Sequence, residues 1–257
     1  MKIASFNANS VRARLPIIVD WLAAQQPDVL CIQETKAQDK DFPAQAFADA
    51  GYRVAFKGEK SYNGVAMVSK EELADVAFGI DDGGEPDETR LVRARLGDVA
   101  IVNTYVPQGT DVDSPRFAYK LEWFKRLKSL FTRHYKPTDL LVWVGDLNVA
   151  PEPMDVYDPE RLDGSVCYHP AERAALADVK EWGLVDVFRK HCGEPKQFSF
   201  FDYRMPKAVD RGLGWRLDHV LATEPLAARS TAAYIDLAPR RLTKPSDHTP
   251  IVAEFDV

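Results

Sequence analysis

Short apolar segments alternate with amphipathic helical segments along the whole chain, and this alternation limits the possible folds more than any other feature. The run at residues 140–144 is almost purely apolar, which is typical of a strand buried on both faces. No linker, repeat or low-complexity stretch interrupts the pattern, so we predict one α/β domain over residues 1–257, with two packed sheets under outer helices. The predicted strands are residues 3–6, 29–33, 53–56, 64–69, 91–96, 99–105, 140–144, 217–222, 232–237 and 251–255, and the predicted helices are a segment around 15–22, then 117–135 and 170–182.

The composition is that of an ordinary globular protein. Of 257 residues, 46% are hydrophobic and 28% are charged, which excludes a disordered chain, a collagen and a membrane bundle. No apolar run approaches the ~20 residues of a membrane span, so we expect no membrane partner. The first six residues already have a strand-like pattern and leave no room for a signal peptide. Three scattered cysteines argue against a disulfide framework. We therefore expect a cytoplasmic protein.

The net charge of −6 is unevenly distributed. Residues 71–88 contain eight acidic side chains and no Lys or Arg, whereas residues 116–136 contain seven basic side chains and one acid. Residues 189–216 contain seven basic side chains and three acids. A protein that is acidic in sum can therefore still present a positive face to phosphates. Two ordinary solvated surfaces explain the same pattern equally well.

Six apolar segments carry a polar or ionisable group at one end. Strands of one sheet place their ends along a common edge, so these groups are predicted to gather in one cleft. Taken singly, each group has a simpler explanation as a turn cap or a solvated loop residue, but the set as a whole favours a site. The groups are Asn7, Glu34, Tyr105, Asp146 with Asn148, Asp218, and Asp247 with His248.

Carboxylate and amide oxygens dominate this set, which contains no thiolate. Such ligands suit a hard cation such as Mg²⁺ better than zinc. Asp218 is a candidate to orient His248 and to favour its charged form. A metal, an imidazolium and amide donors around one point would stabilise a pentavalent phosphate transition state. The chain has no Walker, GxSxG or HExxH motif, so P-loop, serine hydrolase and zincin chemistry have no support.

Seven short motifs follow one another between residues 3 and 255. They are Phe6-Asn7, Gln33-Glu34-Thr35-Lys36, Tyr62-Asn63-Gly64-Val65-Ala66, Tyr105-Val106-Pro107, Gly145-Asp146-Leu147-Asn148-Val149-Ala150, Trp215-Arg216-Leu217-Asp218-His219 and Ser246-Asp247-His248-Thr249-Pro250. In this order they resemble the exonuclease III family of Mg²⁺-dependent apurinic/apyrimidinic endonucleases, within the endonuclease/exonuclease/phosphatase superfamily. The resemblance implies a four-layered αββα sandwich with the active site at one edge of the paired sheets.

The resemblance also implies an activity and a metal. Such enzymes cleave duplex DNA on the 5′ side of an abasic site and leave a 3′-hydroxyl and a 5′-deoxyribose phosphate. Glu34 would hold the catalytic Mg²⁺, for which Mn²⁺ would substitute, with Asn7 nearby. Asp247 would support either the metal or His248. A monomer is expected.

Further roles follow from the same resemblance. Asp146 would orient or deprotonate the attacking water, although the Asp218–His248 pair is the alternative base. Asn148, Tyr105 and His248 would contact the scissile phosphate and stabilise its developing charge.

The resemblance extends to DNA recognition. Phe200, Trp215 and Leu217 resemble an apolar pocket for an extruded abasic sugar, and extrusion costs least at a damaged, unpaired position. Core packing is the alternative explanation for Phe200 and Leu217. Cys167 stands where the family often has Gly or Ser, and its bulk would favour trimming of 3′ ends over abasic cleavage. The predicted contacts along the duplex are Tyr168, Arg116, Lys120 and the basic cluster from Arg204 to Arg216, which includes Arg211.

Two other functions are open at this point. A phosphodiesterase of the same superfamily acting on lipids or nucleotides would keep the metal and Asp–His set, but the segments at residues 198–204 and 214–217 favour DNA. A binding protein that had lost catalysis would carry substitutions at Glu34, Asp146 or His248, and none is present.

Overall fold

A computed structural model describes residues 1–84 and 88–257, and two six-stranded sheets with flanking helices make up its framework. The strands are β1 (Lys2–Asn7), β2 (Val29–Gln33), β3 (Arg53–Lys57), β4 (Val65–Ser69), β5 (Ala74–Phe78), β6 (Leu91–Leu96), β7 (Val99–Tyr105), β8 (Leu141–Asp146), β9 (Leu184–Asp186), β10 (Asp218–Thr223), β11 (Ser230–Ile235) and β12 (Ile251–Phe255). The helices are α1 (Val11–Gln25), α2 (Ala44–Asp49), α3 (Pro115–His134), α4 (Pro159–Leu162), α5 (Pro170–Lys180), α6 (Val187–His191), α7 (Ala208–Arg211) and α8 (Glu224–Ala227).

The strand order places functional residues from both sheets at one edge. The first sheet has the order β11-β12-β1-β2-β4-β3, and the second has the order β5-β6-β7-β8-β10-β9. β1 pairs in parallel with β2, and β7 pairs in parallel with β8. Within each parallel pair the carboxyl ends of the two strands meet at the same sheet edge, so the polar residues that follow them become neighbours.

Four layers follow from the alternation of side chains along the strands. Apolar residues of α1 and α2, including Leu22 and Phe47, cover the outer face of the first sheet. The inner faces of the two sheets pack against each other through residues such as Val29 and Val142. α3 and α5 cover the outer face of the second sheet. The predicted single-domain αββα sandwich is therefore confirmed in its layers.

Two buried amides join the sheets directly beneath the predicted site. The Gln33 side chain donates a hydrogen bond to Asn103 Oδ1 (2.6 Å), and Asn103 Nδ2 donates to the carbonyls of Ile32 (3.1 Å) and Ala66 (3.0 Å). Gln33 and Asn103 are both fully buried. Because buried polar groups are costly unless paired, these hydrogen bonds favour one lateral register of the two sheets.

The acidic segment at residues 71–88 contains a strand and an ion pair that the sequence analysis did not predict. It contains β5, which the sequence analysis missed. Asp82 of this segment pairs with Arg126 of α3 (2.7 Å). Part of the basic segment 116–136 therefore faces acidic side chains instead of solvent. Glu85 and Asp87, which belong to the predicted segment, lie outside the described residues. Over residues 1–84 and 88–257, none of the helices combines the length and hydropathy needed to cross a bilayer.

Candidate active site

A cleft of about 520 Å³ opens at the edge where the two sheets meet. Three neighbouring strands of the second sheet bring Tyr105, Asp146 and Asp218 side by side, because Asp146 is the register partner of both Tyr105 and Asp218. In the first sheet, Asn7 ends β1 next to Gln33, which places it beside Glu34. Of the predicted catalytic and metal residues, six line the cleft: Glu34, Tyr105, Asp146, Asn148, Asp247 and His248.

Asn7 connects the carboxylates of the two sheets. Its Nδ2 donates hydrogen bonds to Glu34 Oε1 and Asp146 Oδ2, both at 2.8 Å. Its Oδ1 accepts a hydrogen bond from the backbone N–H of Asn9 (2.9 Å). The amide therefore orients two carboxylates, and a role of Asn7 at the metal stays a prediction.

Glu34 faces the cleft as an ionised carboxylate. Burial by itself would raise the pKa of Glu34, but Lys36, whose ammonium lies 2.8 Å away, and the hydrogen bond from Asn7 hold this pKa below its usual value. Tyr105 contributes a hydroxyl beside Glu34, and burial together with that negative charge raises the pKa of Tyr105 well above its usual value. Tyr105 is thus a neutral hydrogen-bond donor.

Asp218 and His248 form a buried ion pair behind the cleft wall. His248 Nδ1 lies 2.8 Å from Asp218 Oδ2, and Nε2 lies 3.6 Å from Asp146 Oδ2. Burial by itself would lower the pKa of His248, but the charges of Asp218 and Asp146 outweigh this effect and raise that pKa to about 10. The predicted pairing of these residues is present, and the ring is an imidazolium at neutral pH.

Asp146 has an environment suited to proton transfer. Burial is the largest influence on it and, despite the neighbouring His248, raises the pKa of Asp146 to about 7. Gly145 allows the strand to pass close to its neighbour, since a Cβ at this position would lie 1.9 Å from the Thr104 carbonyl oxygen. Asn148 has a positive φ of 51° and donates from its backbone to Asp146 Oδ1 (2.9 Å), which fixes the carboxylate.

Asp247 lies at the far side of the cleft and is fixed by its neighbours. Its Oδ1 accepts hydrogen bonds from Asn9 Nδ2 (3.0 Å) and from the Ser246 hydroxyl (3.3 Å). Asn9 was absent from the predicted set, although it lies only two residues after Asn7, and that spacing is the signal by which the sequence could have identified it.

The donor chemistry at Glu34 fits a hard divalent cation. Glu34 and Asp146 supply carboxylate oxygens that both lie 2.8 Å from the same Asn7 nitrogen, and no thiolate is among them. A second set, Asp146, Asp218 and His248, has ligand atoms within 4.8 Å of one another. In that set the raised pKa of His248 keeps its ring protonated toward Asp218, so a cation would have to displace a proton. The Glu34 end is the better candidate metal site.

Apolar side chains form part of the cleft wall. Phe200, Trp215 and Leu217 line it, as predicted, and the Phe200 ring centroid lies 4.9 Å from that of His248. Cys167 lies on the same wall, with Sγ 3.8 Å from Asn148 Oδ1. Burial raises the pKa of Cys167 to about 12, so its thiol is neutral. The wall offers an apolar surface next to the reactive groups.

The residues predicted to contact the DNA duplex differ in their exposure to solvent. Arg116 is well exposed, with a distant ion pair to Glu88 (3.7 Å), and Arg211 is exposed on α7. Tyr168 is buried, and the Arg173 guanidinium covers its ring at 4.5 Å. Whether Arg116, Arg211 and Tyr168 contact DNA stays a prediction.

The structure contradicts the predicted contacts of two basic residues, Lys120 and Arg216, with DNA phosphates. Lys120 is fully buried and pairs with Glu172, so its ammonium cannot reach a DNA phosphate. Arg216 is also fully buried and hydrogen-bonds to both carboxylate oxygens of Asp155 (2.6 and 3.0 Å). The burial of Lys120 could have been predicted from the sequence, because Lys120 lies three residues after Phe117 and three before Trp123, on the apolar face of α3.

The chain is similar to known nucleases over its full length. The profile of the endonuclease/exonuclease/phosphatase family matches residues 4–248. Exodeoxyribonuclease III of Haemophilus influenzae is 34% identical over 267 residues, covering 99% of this chain and 100% of that protein. The structure of an AP endonuclease from Archaeoglobus fulgidus is 48% identical with a TM-score of 0.98, and all of both chains is covered.

A further solved structure is that of the 3′ phosphatase NExo from Neisseria, bound to a product DNA hairpin. It is 36% identical, with a TM-score of 0.95 and full coverage of both chains. Together with the cleft geometry, these similarities show that the chain belongs to the endonuclease/exonuclease/phosphatase family, in the branch of exonuclease III and the AP endonucleases.

Proposed function

We propose that this protein is a Mg²⁺-dependent DNA-repair phosphodiesterase that incises duplex DNA on the 5′ side of abasic sites and also trims damaged 3′ ends. The observation that carries the proposal is the cleft itself, where a paired imidazolium, a proton-accepting carboxylate and a carboxylate suited to Mg²⁺ face an apolar wall. The wall suits a sugar that has lost its base, because such a sugar presents an apolar face and needs little space.

The reaction is hydrolysis of a phosphodiester. A water oxygen attacks phosphorus, and the bond between phosphorus and the 3′ oxygen of the preceding nucleotide breaks. The leaving 3′ oxygen carries the electron pair of that bond and takes up a proton from solvent water to become a hydroxyl. Asp146 is placed to take the proton of the water, since its raised pKa makes it a stronger base than an ordinary carboxylate. His248 and Tyr105 stabilise the charge on the phosphate as donors. When bound at Glu34, the metal would offset the negative charge of the same phosphate.

Trimming of 3′ ends is the second candidate activity, and Cys167 favours it. The thiol occupies part of the apolar wall, and bulk there restricts entry of an extruded sugar more than it restricts a terminal nucleotide. A terminal nucleotide needs no extrusion from the stacked duplex.

One labelled duplex with a tetrahydrofuran abasic analogue, run beside an intact duplex with a recessed 3′ end, separates these activities. We expect incision at the analogue with Mg²⁺ or Mn²⁺ and none with EDTA. Asp146→Asn is the matched control, and it should lower kcat by several orders of magnitude while DNA binding is retained. Trimming without incision would leave only the second activity, and inactivity on both duplexes would contradict the proposal and favour a non-DNA phosphodiester.

The salt dependence of DNA binding is a second test of the proposal. Binding to duplex DNA should weaken steeply with salt, since phosphate contacts release counterions, and a flat log–log salt slope would contradict the proposed basic face. A monomer of 28.9 kDa is expected in light scattering. The cytoplasmic location stays a prediction.

A further inference from the structure

Lys120 and Glu172 form a fully buried ion pair between α3 and α5, behind the wall of the cleft. The Lys120 ammonium also donates hydrogen bonds to the backbone carbonyls of Asn148 (2.7 Å) and Gln108 (3.1 Å). The other oxygen of Glu172 accepts a hydrogen bond from the backbone N–H of His169 (3.1 Å). One ion pair therefore contacts three separate loops.

Each of these loops contributes a residue to the cleft. Gln108 lines it from the loop after β7, and Asn148 lines it from the loop after β8. The loop that ends at His169 contributes Val166 and Cys167. Cys167 has a positive φ of 71°, a conformation that costs a residue with a side chain about 1–2 kcal/mol and so persists only where its surroundings hold it.

We propose that the Lys120–Glu172 pair is a positioning device that sets the distance between the Cys167 wall and Asn148, and with it the selectivity of the cleft for an abasic sugar. A buried ion pair is weak as a source of stability, because desolvation offsets much of the attraction. What this pair does provide is fixed geometry, since its donors and acceptors are satisfied only when the three loops sit in one arrangement.

The consequence for selectivity rests on the proposed function. Incision at an abasic site requires the extruded sugar to fit between the wall and the reactive groups, whereas a terminal nucleotide reaches the phosphate-binding residues without extrusion. Loosening the three loops therefore lowers abasic incision more than 3′ trimming, although both activities use the same Asp146 and His248.

The test is the double variant Lys120→Met/Glu172→Gln, which removes both charges and keeps side chains of similar size, so that folding is retained. The matched control is Lys128→Met, because Lys128 pairs with Asp178 (2.7 Å) across the same two helices at the exposed surface. For the double variant, the ratio of kcat/KM on the abasic duplex to kcat/KM on the 3′ end should fall about tenfold, because only the abasic reaction depends on the placement of the extruded sugar against the wall. The control should leave this ratio unchanged.

Two further measurements separate the alternatives. Amide hydrogen exchange of residues 163–169 should accelerate in the double variant and not in Lys128→Met, a result that does not depend on activity. The salt slope of DNA binding should not change, whereas a direct phosphate contact at Lys120 would reduce it by about 0.9. An unchanged or raised activity ratio, or unchanged exchange, overturns the proposal. A wild-type protein inactive on both duplexes would instead contradict the proposed function.

Discussion

The charge state of His248 depends on Asp218, and Asp218→Asn tests this dependence directly. Removing an opposite charge at hydrogen-bond distance lowers the pKa of a buried imidazolium by about one to three pH units. Because the pKa of His248 is about 10 in the native protein, we expect it to fall to between about 7 and 9 in the variant. Asparagine keeps the size and hydrogen-bonding capacity of the side chain, so the change is confined to charge.

The assay is a pH titration of the histidine ring nitrogens by NMR, carried out in EDTA so that no metal contributes. In the wild type, His248 should stay protonated from pH 5 to 9, and in Asp218→Asn it should titrate within that range. His219 serves as an internal reference, because burial and the nearby Arg216 lower its pKa to about 3 and keep it neutral in both proteins. The reasoning is refuted if wild-type His248 titrates near pH 6.5, or if the variant leaves its pKa unchanged.

The raised pKa of His248 in the native protein also affects the free energy of unfolding. The folded pKa of His248 lies above the unfolded value near 6.5, so the pair stabilises the fold fully below pH 6.5 and progressively less as the pH rises toward 10. The loss of unfolding free energy in Asp218→Asn should therefore be largest at low pH and should shrink toward pH 10. A loss that is independent of pH would point to packing and not to charge.

Three further substitutions test other parts of the site. Glu34→Gln should raise the Mg²⁺ concentration for half-maximal activity at least about tenfold, and an unchanged metal titration would count against Glu34 as a ligand. Asn103→Leu should cost about 1–3 kcal/mol in urea unfolding, because Gln33 loses its hydrogen bond to Asn103 and the carbonyls of Ile32 and Ala66 lose a donor; a cost below about 0.5 kcal/mol would contradict this link between the sheets. Cys167→Gly should raise abasic incision relative to 3′ trimming and change the unfolding free energy by less than about 1 kcal/mol, since relief at positive φ is offset by unfolded-state entropy; a lower ratio contradicts the assigned bulk effect.

The sequence predicted the strands of the centre of the fold well and its periphery poorly. β2, β6, β7 and β12 have the predicted bounds, because most of their residues are buried and apolar; in β6, Arg93 and Arg95 alternate with apolar residues, which is the period of a strand. β5 was missed because three of its five residues are exposed, and a strand at a sheet edge carries little hydrophobic pattern.

The grouping of Asp146, Asp218 and His248 was predictable for a related reason. Asp146 ends β8, Asp218 begins β10 and His248 lies three residues before β12, so an error of one or two residues in a strand boundary does not separate them. The placement of Lys120 was not predicted, because the sum of charges over residues 116–136 treats a buried lysine and an exposed one alike. Its position on the apolar face of α3 would have distinguished them.

The two ends of the active site come from opposite ends of the chain, and this affects the order in which a new molecule gains function. Asn7 lies on β1, which pairs with β12, and His248 lies just before β12. During synthesis, β1 can therefore pair with its antiparallel partner β12 only after the other described strands have been synthesised. A nascent or prematurely terminated chain that ends before Asp247 lacks Asp247 and His248 of the cleft lining, so we expect it to be inactive in the incision assay.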